Sequence, residues 1–463
     1  MFSRAALRSA GTRTFLVVWF GELISTVGSG LTTFALSIWI YQRTNSVSLL
    51  ALNMLAYAVP EIILAPLAGL VADRYNRRLV MIMGDLGAGI TSLTVFLLFI
   101  TGRLTIPLVI ILSFLSAASS SFQWPAYSAV VPQLVPKDQL GRAGGMVQIG
   151  EAISYLIGPA LAGALFVLPT FGFRGILFLD FATLGAAILT LMVVRIPDAL
   201  PSAETQEACE TPAGKVSFWK EVTYGWTYIR ARKGLVALLI YFAIANFLQE
   251  FSSPLVQPLL LNITSADGVG IALSIMGAGM MVGVGIMTVW GGPKRRIDGI
   301  LIPGLLGGLA IAVAGLRPWL PLITAAGFSY FLLWPILEAS NEALWQCKIP
   351  TDVLGRVSAM RGMVVSSIRP LALIFAGPLA DGVFEPLLRR GGLLAPTIGQ
   401  IVGVGPGRGV ALFLIVIGGL TALSALGALM TRSIRQLEDD IPDVIPDAPE
   451  PMLSGALVTT ADR

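Results

Sequence analysis

The chain has 463 residues, of which 55% are hydrophobic and only 13% are charged. Its mean hydropathy is +0.80, and soluble domains rarely exceed about half apolar residues. This composition excludes an ordinary soluble domain and indicates a polytopic helical membrane protein. The net charge of +4 is then expected to reflect cytoplasmic loops rather than nucleic-acid binding.

Six apolar runs in the first part of the chain predict membrane-spanning helices. Each is near or above the roughly 20 residues that a spanning helix needs. They are Thr14–Tyr41, Ser48–Val71, Leu79–Thr101, Ile106–Val131, Ala143–Leu168 and Arg174–Val194. The arginines before the first run place the N-terminus in the cytoplasm by the positive-inside rule; they are Arg4, Arg8 and Arg13.

The composition changes between residues 196 and 234, which we predict to be a cytoplasmic linker. Its first part is rich in Pro, Glu, Thr and Ala and is typical of a flexible segment. Its last part, Ser217–Arg232, mixes aromatic and charged residues and predicts an amphipathic helix on the membrane surface. Six more apolar runs follow: Leu235–Asn262, Gly268–Trp290, Gly299–Leu316, Trp319–Gln346, Val357–Phe384 and Gly409–Thr431. The acidic, Pro-rich tail, residues 432–463, is expected to be disordered and cytoplasmic.

Short sequence repeats relate the two groups of six runs. They pair Pro136-x-Asp138-x-Leu140-Gly141-Arg142 with Pro350-x-Asp352-x-Leu354-Gly355-Arg356, and Gly158-Pro159 and Gly163 with Gly377-Pro378 and Gly382. The matches occur in the same order in both groups. We therefore predict an all-α membrane protein of about twelve transmembrane helices in two six-helix halves, residues 1–195 and 235–431.

A loop of unusual charge, Gly69–Arg78, lies between the second and third predicted helices. Gly69 permits close helix approach at the membrane edge, and Asp73 can cap a helix or pair with a basic residue. By the positive-inside rule, its arginines lie on the cytoplasmic side; they are Arg74, Arg77 and Arg78.

The spacing G-x-x-x-D-R-x-x-R-R in this loop resembles the loop between helices two and three of the major facilitator superfamily, a family of secondary transporters. Asn76 stands where that family often has Gly, a mild departure because Asn tolerates the left-handed conformation. The resemblance implies a fold of two six-helix halves. It also implies that Asp73, Arg74 and Arg78 help to hold the cytoplasmic side shut in the outward-facing state.

Two further segments refine the resemblance. Gly158, Pro159 and Gly163 resemble the small-residue motif in helix 5 of exporters in this superfamily, although generic helix packing would give a similar pattern. Phe122–Tyr127, together with the charged loop, is similar to the branch of macrolide-efflux proteins and enterobactin exporters. Trp124 and Tyr127 could line an aromatic cavity for a bulky substrate, or serve in packing or an interfacial belt.

Several ionisable residues fall inside predicted helices, where a charge costs about 2.5–3.5 kcal/mol on insertion scales. They are Glu22, Glu61, Glu151, Asp180, Glu250, Glu338, Glu342 and Arg369. Glu338 and Glu342 share one helix face, with Asn341 beside them. We expect a polar cavity between the halves whose carboxylates take up and release protons. The structural alternative is a static pair such as Glu151 with Arg369. A purely structural role is more strongly favoured for Glu22 and Asp180, which lie nearer the predicted helix ends.

The sequence predicts no enzyme, cofactor or metal site. There is no histidine, the commonest metal ligand, and no G-x-x-x-x-G-K-[ST] loop for ATP. Cys209 and Cys347 fall on the predicted cytoplasmic side, where a disulfide is not expected.

The function expected from these features is proton-driven export of a bulky, amphiphilic small molecule such as a drug, a macrolide or a siderophore. The protein is expected to act as a monomer in the inner (plasma) membrane, surrounded by lipid and without a nucleic-acid partner. An uptake symporter, a lysophospholipid flippase-type transporter and a receptor or scaffold without transport are the alternatives. The many intramembrane carboxylates speak against a scaffold.

Overall fold

The computed structural model describes residues 4–136, 139–194 and 226–442, and these residues form helices without a β-strand. We number the long helices α1 to α13. The first seven are α1 (Arg4–Thr44), α2 (Val47–Arg74), α3 (Arg77–Ile100), α4 (Ile106–Ser120), α5 (Gln123–Leu134), α6 (Leu140–Val167) and α7 (Gly172–Val193). The others are α8 (Lys233–Leu261), α9 (Ala266–Trp290), α10 (Arg296–Leu316), α11 (Leu320–Lys348), α12 (Thr351–Leu379) and α13 (Arg408–Met430).

Eleven spans of the described chain, with α4 and α5 counted as one, are long and apolar enough to cross a membrane. Helix α6 supplies a twelfth by length, since its 28 residues reach ~42 Å at 1.5 Å per residue. Large apolar side chains stand exposed on the outside of the bundle, such as Val289 at 91% and Val193 at 83%. In a membrane these surfaces face lipid, so the chain is a multi-pass membrane protein.

Local sequence explains where the helices begin and end. The Ser46 side chain accepts a hydrogen bond from the Leu49 amide and so caps α2, and Asn76 caps α3 through the Leu79 amide. Both side chains accept hydrogen bonds from backbone N–H groups that lack a partner at the start of a helix. Gly291, with φ of 78°, ends α9 in the left-handed conformation that glycine adopts without strain.

The structure differs from the predicted elements in three places. Helix α1 begins at Arg4 rather than Thr14, and the fourth predicted helix is broken at Ser121 and Phe122 into α4 and α5. Residues 432–442, the start of the tail expected to be disordered, form two helical turns with Ile434 and Leu437 buried. They order because these apolar side chains join the core of α8, α10 and α11. Residues 196–225 and 443–463, with Cys209, lie outside the described part of the chain.

The helices pack as two halves, which we call the first half (α1–α7) and the second half (α8–α13). Within the first half, α1 packs on α6 and α7, and α3 packs on α4 and α7; within the second, α10 packs on α11 and α13. The halves meet mainly where α6 packs on α9 and α2 on α12.

We define the motif face as the end of the bundle with the Gly69–Arg78 loop, and the far face as the opposite end. At the far face the halves are in tight contact. A Cβ added to Gly163 on α6 would lie 2.6 Å from the carbonyl oxygen of Ala266 on α9, and the Asn262 amide donates a 2.8 Å hydrogen bond to the Tyr41 hydroxyl. The structure is closed at the far face.

Candidate functional site

A cavity of about 580 Å³ lies in the first half, bounded by the helices α1 to α7. Serine and threonine side chains line much of it, among them Ser29, Thr32, Ser92 and Ser113. The carboxylates of Glu22, Glu61 and Asp180 reach its wall, and its lining within the described chain contains neither lysine nor arginine. The wall therefore offers hydroxyl and carboxyl groups.

Glu22 and Asp85 are linked by one glutamine. The Gln123 Nε2 donates hydrogen bonds of 2.8 Å to Glu22 Oε2 and 2.7 Å to Asp85 Oδ1. These residues come from α1, α3 and the first turn of α5. Although the sequence places Glu22 near a helix end, α1 extends well beyond the predicted start, and Glu22 lies deep in the span.

Asp180 on α7 is held by hydroxyl groups from two other helices. Ser29 on α1 donates to Asp180 Oδ1 at 3.1 Å and Ser92 on α3 donates to Oδ2 at 2.8 Å. The residue is 3% exposed, so it is a buried, hydrogen-bonded group rather than one at a helix end.

Glu61, Glu250 and Arg369 form a charged bridge between the halves. Arg369 on α12 lies 3.5 Å from Glu61 on α2 and 3.6 Å from Glu250 on α8. The three residues sit in the middle parts of their helices, so the bridge lies deep in the membrane. We call it the central bridge. The structure gives Arg369 these partners, whereas the sequence suggested Glu151, whose side chain lies outside the described residues.

The remaining second-half candidates form a separate cluster. Glu342 on α11 makes an ion pair with Arg361 on α12, and Arg361 also lies over the Trp345 ring at 5.6 Å. Asn341 is buried and accepts a 2.8 Å hydrogen bond from Trp345, so it belongs to the helix packing here. Glu338 is half-buried beside Asn341 and Arg361.

The two aromatic candidates both line the cavity, with different exposure. Trp124 is 54% exposed and Tyr127 is 6% exposed. Their ring centroids are 6.2 Å apart and the rings are tilted by 49°. Trp124 thus offers an aromatic face to the cavity, and Tyr127 supports it from behind.

The loop arginines bind backbone carbonyls within the first half, some of them at helix ends. Arg78 Nε donates to the Leu191 carbonyl at 2.7 Å, and Arg77 donates to the carbonyls of Ala72 and Ala129. Cations are favourable at helix C-termini, where carbonyl groups lack partners. Arg74 is exposed, and the Asp73 side chain lies outside the described residues.

The glycines singled out in the sequence separate into tight and open positions. Gly163 lies against the backbone of α9, and Gly270 of α9 lies against the Pro159 carbonyl in return. A Cβ on Gly69 or Gly158 would meet no atom within 4 Å. On the side toward which a Gly69 side chain would point, the expected close helix approach is not seen among the described residues.

Sequence reasoning overlooked three residues of this region: Asp85, Gln123 and Arg361. The signal for Asp85 and Arg361 was present, since both are ionisable residues inside predicted spans. The signal for Gln123 was weak, because a neutral amide in a helix carries no comparable cost.

Comparisons with known proteins place this architecture in a family. Residues 18–373 match the model described as Major Facilitator Superfamily. Macrolide efflux protein A of Streptococcus pyogenes is 27% identical over 385 residues, covering 80% of this chain and 90% of that protein. The multidrug efflux pump Tap of Mycolicibacterium fortuitum is 26% identical over 377 residues, covering 79% of this chain and 89% of that protein.

Solved structures agree on the fold. A bacterial homologue of the human lysosomal transporter Spinster, in an inward-facing and unoccupied conformation, aligns with a TM-score of 0.67 at 14% identity. The alignment covers 91% of this chain and 98% of that one. A mutant of the nucleoside transporter NupG aligns with a TM-score of 0.66 at 11% identity, over 89% of this chain and 99% of that one. The predicted fold and family resemblance are confirmed: the chain belongs to the Major Facilitator Superfamily and is a transporter rather than an enzyme.

Proposed function

We propose that this protein is a proton-coupled exporter of bulky, amphiphilic molecules that are neutral or cationic. The observation that carries the proposal is the central bridge, in which Arg369 of the second half lies between Glu61 of the first half and Glu250 of its own half. A charge group placed between two moving halves can link its protonation to their motion.

The coupling follows from simple electrostatics. With both carboxylates ionised, Glu250 holds Arg369 in position and Arg369 attracts the first half through Glu61, which favours the arrangement seen here. A proton on a carboxylate removes its charge and weakens that attraction. Since a ligand shifts an equilibrium by its different affinity for the two states, proton binding changes the balance between states closed at either face.

The cavity supports the substrate class. Its volume of about 580 Å³ falls in the range of roughly 300–1,000 Å³ typical of small-molecule pockets. Trp124 supplies an aromatic surface, and the hydroxyl groups and carboxylates supply polar contacts. Because the lining is acidic, we favour a drug or macrolide with a basic or neutral group over an anionic siderophore. The names of the efflux relatives support export.

Orientation is part of the proposal. The arginines of the Gly69–Arg78 loop, the Arg295–Arg296 turn and Lys348 lie at the motif face, and the positive-inside rule makes that face cytoplasmic. With the far face closed, the cavity would load from the cytoplasm or the inner leaflet of the plasma membrane. One chain contains both the cavity and the bridge, so a monomer suffices.

Ethidium accumulation in inside-out membrane vesicles tests the proposal. An acid-inside proton gradient should accelerate uptake into the vesicles, and Arg369→Gln should abolish the acceleration. Asp440→Asn, at an exposed residue of the tail, is the matched control and should behave as the native chain. Ethidium moving out of the vesicles along with protons would establish an uptake symporter, and transport indifferent to the gradient would refute proton coupling.

A further inference from the structure

Acids and bases are distributed unequally between the halves. In the second half, Glu250 and Glu342 each lie against an arginine. In the first half, none of the ion pairs among the described side chains involves Glu22, Asp85 or Asp180. The buried carboxylates of the first half therefore need another source of stabilisation.

Asp180 is stabilised by hydrogen bonds, because each of its two carboxylate oxygens accepts one from a serine hydroxyl group. Glu22 and Asp85 do not have a hydrogen bond to each carboxylate oxygen. Each accepts one hydrogen bond from the shared Gln123 amide, and its other oxygen, Glu22 Oε1 or Asp85 Oδ2, is buried without a hydrogen-bond partner among the described residues. Asp85 is 0% exposed, so water cannot serve that oxygen from the surface.

Two neighbouring charged carboxylates that share a single amide are costly in such a place. An unpaired buried charge loses its hydration, and like charges at short range repel. One proton on the pair removes the repulsion and one of the two buried charges, leaves a single charge for Gln123 to stabilise and provides an O–H donor. Interacting carboxylates of this kind titrate as a unit.

We propose that Glu22 and Asp85, joined by Gln123, form a proton-binding site that is separate from the central bridge and that releases one proton when a cationic substrate binds. The inference rests on the proposed function, since it assigns a second proton to the same transport cycle. It adds Asp85 and Gln123 to the machinery and places this proton in the first half.

The surroundings specify how the site exchanges its proton. Glu22 lines the cavity and Asp85 does not, so Glu22 is the entry point and Asp85 lies behind it. Other titratable groups face this region from the neighbouring helices: Tyr127 on α5, Glu61 and Tyr57 on α2, and Asp180 on α7. None of these groups carries a positive charge, and the positive charge beside them among the described residues is Arg369, which lies against Glu61. Glu151 on α6 lies outside the described side chains.

Gln123 is a positioning residue at the break between α4 and α5. A Cβ added to Gly84 on α3 would lie 3.3 Å from Gln123 Cβ and 3.2 Å from the Ser119 carbonyl oxygen. Glycine at this position lets α3 approach the break, and Asp85, the next residue, thereby reaches the Gln123 amide. The link joins α1, α3 and the break, so a change of protonation acts on all three elements.

The pH dependence of tetraphenylphosphonium binding to the purified full chain in nanodiscs tests the site. If the pair releases one proton when the ligand binds, this site raises the tetraphenylphosphonium affinity by about tenfold per pH unit. The rise covers the pH range in which the free protein holds that proton. In the double variant Glu22→Gln with Asp85→Asn, the slope of the logarithm of the affinity against pH should be one unit smaller than in the native chain. Asp180→Asn, the matched control, should keep the native slope whatever its affinity, and Gln123→Asn should move the midpoint while keeping the slope.

Infrared spectroscopy gives a second measurement that needs no substrate. The double variant Glu22→Gln with Asp85→Asn should remove a protonated carboxylic acid signal that Asp180→Asn retains. A native slope or an unchanged infrared signal in this double variant would overturn the proposed site while leaving proton coupling intact. Binding of the native chain that does not depend on pH would instead count against the proposed function itself.

Discussion

Asp381 of the second half accepts a 2.7 Å hydrogen bond from the hydroxyl group of Ser46 of the first half. The same carboxylate accepts hydrogen bonds from the backbone amides of Val47 at 3.0 Å and Ser48 at 2.8 Å. These amides lie at the N-terminus of α2, where the helix dipole favours a negative charge. Asp381 thus acts as a capping group supplied across the far face, and it stabilises the closed state.

Replacing Asp381 by Asn should open the far face. Hydrogen bonds to a charged group contribute about 1.5–3 kcal/mol, and about 1.4 kcal/mol corresponds to tenfold in population. We expect at least a tenfold shift toward the state open at the far face. The distance between spin labels at Arg103 and Leu393, which lie in far-face loops of opposite halves, measures it. Glu385→Gln is the control, because Glu385 caps Gly407 and Gly409 within its own half; an equal shift there would contradict the assignment.

Gly163 and Gly158 provide a matched pair for the contact of α6 with α9. In Gly163→Ala the new methyl group would meet the Ala266 backbone, whereas in Gly158→Ala it would meet no atom within 4 Å. Overpacking costs about 1–3 kcal/mol, so Gly163→Ala should depopulate the far-face-closed state by about fivefold or more. Gly158→Ala should leave the distribution unchanged. The same spin-label distance reports both, and indistinguishable variants would show that this contact does not set the closed state.

The two carboxylates of the central bridge should contribute unequally. The Glu250 side chain is 27% exposed and the Glu61 side chain is 68% exposed. Ion pairs in solvent contribute about 0–1 kcal/mol, whereas a pair with a less exposed carboxylate is screened less by water. Glu61→Gln should therefore reduce proton-coupled ethidium transport by less than about fivefold, and Glu250→Gln should reduce it more. Initial rates in proteoliposomes decide the order, and the reverse order would contradict this account of the bridge.

The ordered start of the tail should stabilise the second half. Glu438 Oε1 accepts the amides of Arg296 at 2.6 Å and Ile297 at 3.2 Å, and so caps α10. Loss of such a cap costs about 0.5–2 kcal/mol. Glu438→Gln should lower the thermal unfolding temperature in detergent. Asp440→Asn should not, since the exposed Asp440 side chain makes no hydrogen bond or ion pair within the described part of the chain; equal lowering by both changes would exclude the cap as the cause.

Much of the fold could be predicted from the sequence because lipid imposes long apolar helices, and the repeated motifs reveal two related halves. The break before Gln123 and the ordering around Leu437 could not, because both depend on contacts with distant helices. Gly163 and Gly158 illustrate the same limit: they look equivalent in the sequence, yet among the described residues only a Cβ added at Gly163 would meet α9.

The candidate site was partly predictable for a physical reason. The insertion cost of a charge identifies residues such as Glu61, Glu250 and Arg369 one at a time, but their pairing depends on how three helices meet. For this reason the sequence suggested Glu151 as a partner for Arg369. Asp85 carried the same signal as the other acids, and its importance emerged only from its burial beside Gln123.

Substrate-driven proton movement in proteoliposomes tests the central claim most directly. Vesicles containing the native chain and a pH-sensitive dye would receive an ethidium gradient, with erythromycin as a second substrate and protein-free vesicles as the blank. The account predicts that protons move opposite to the substrate, and that Arg369→Gln abolishes this movement while ethidium binding persists. Substrate transport without proton movement in the native chain would contradict it.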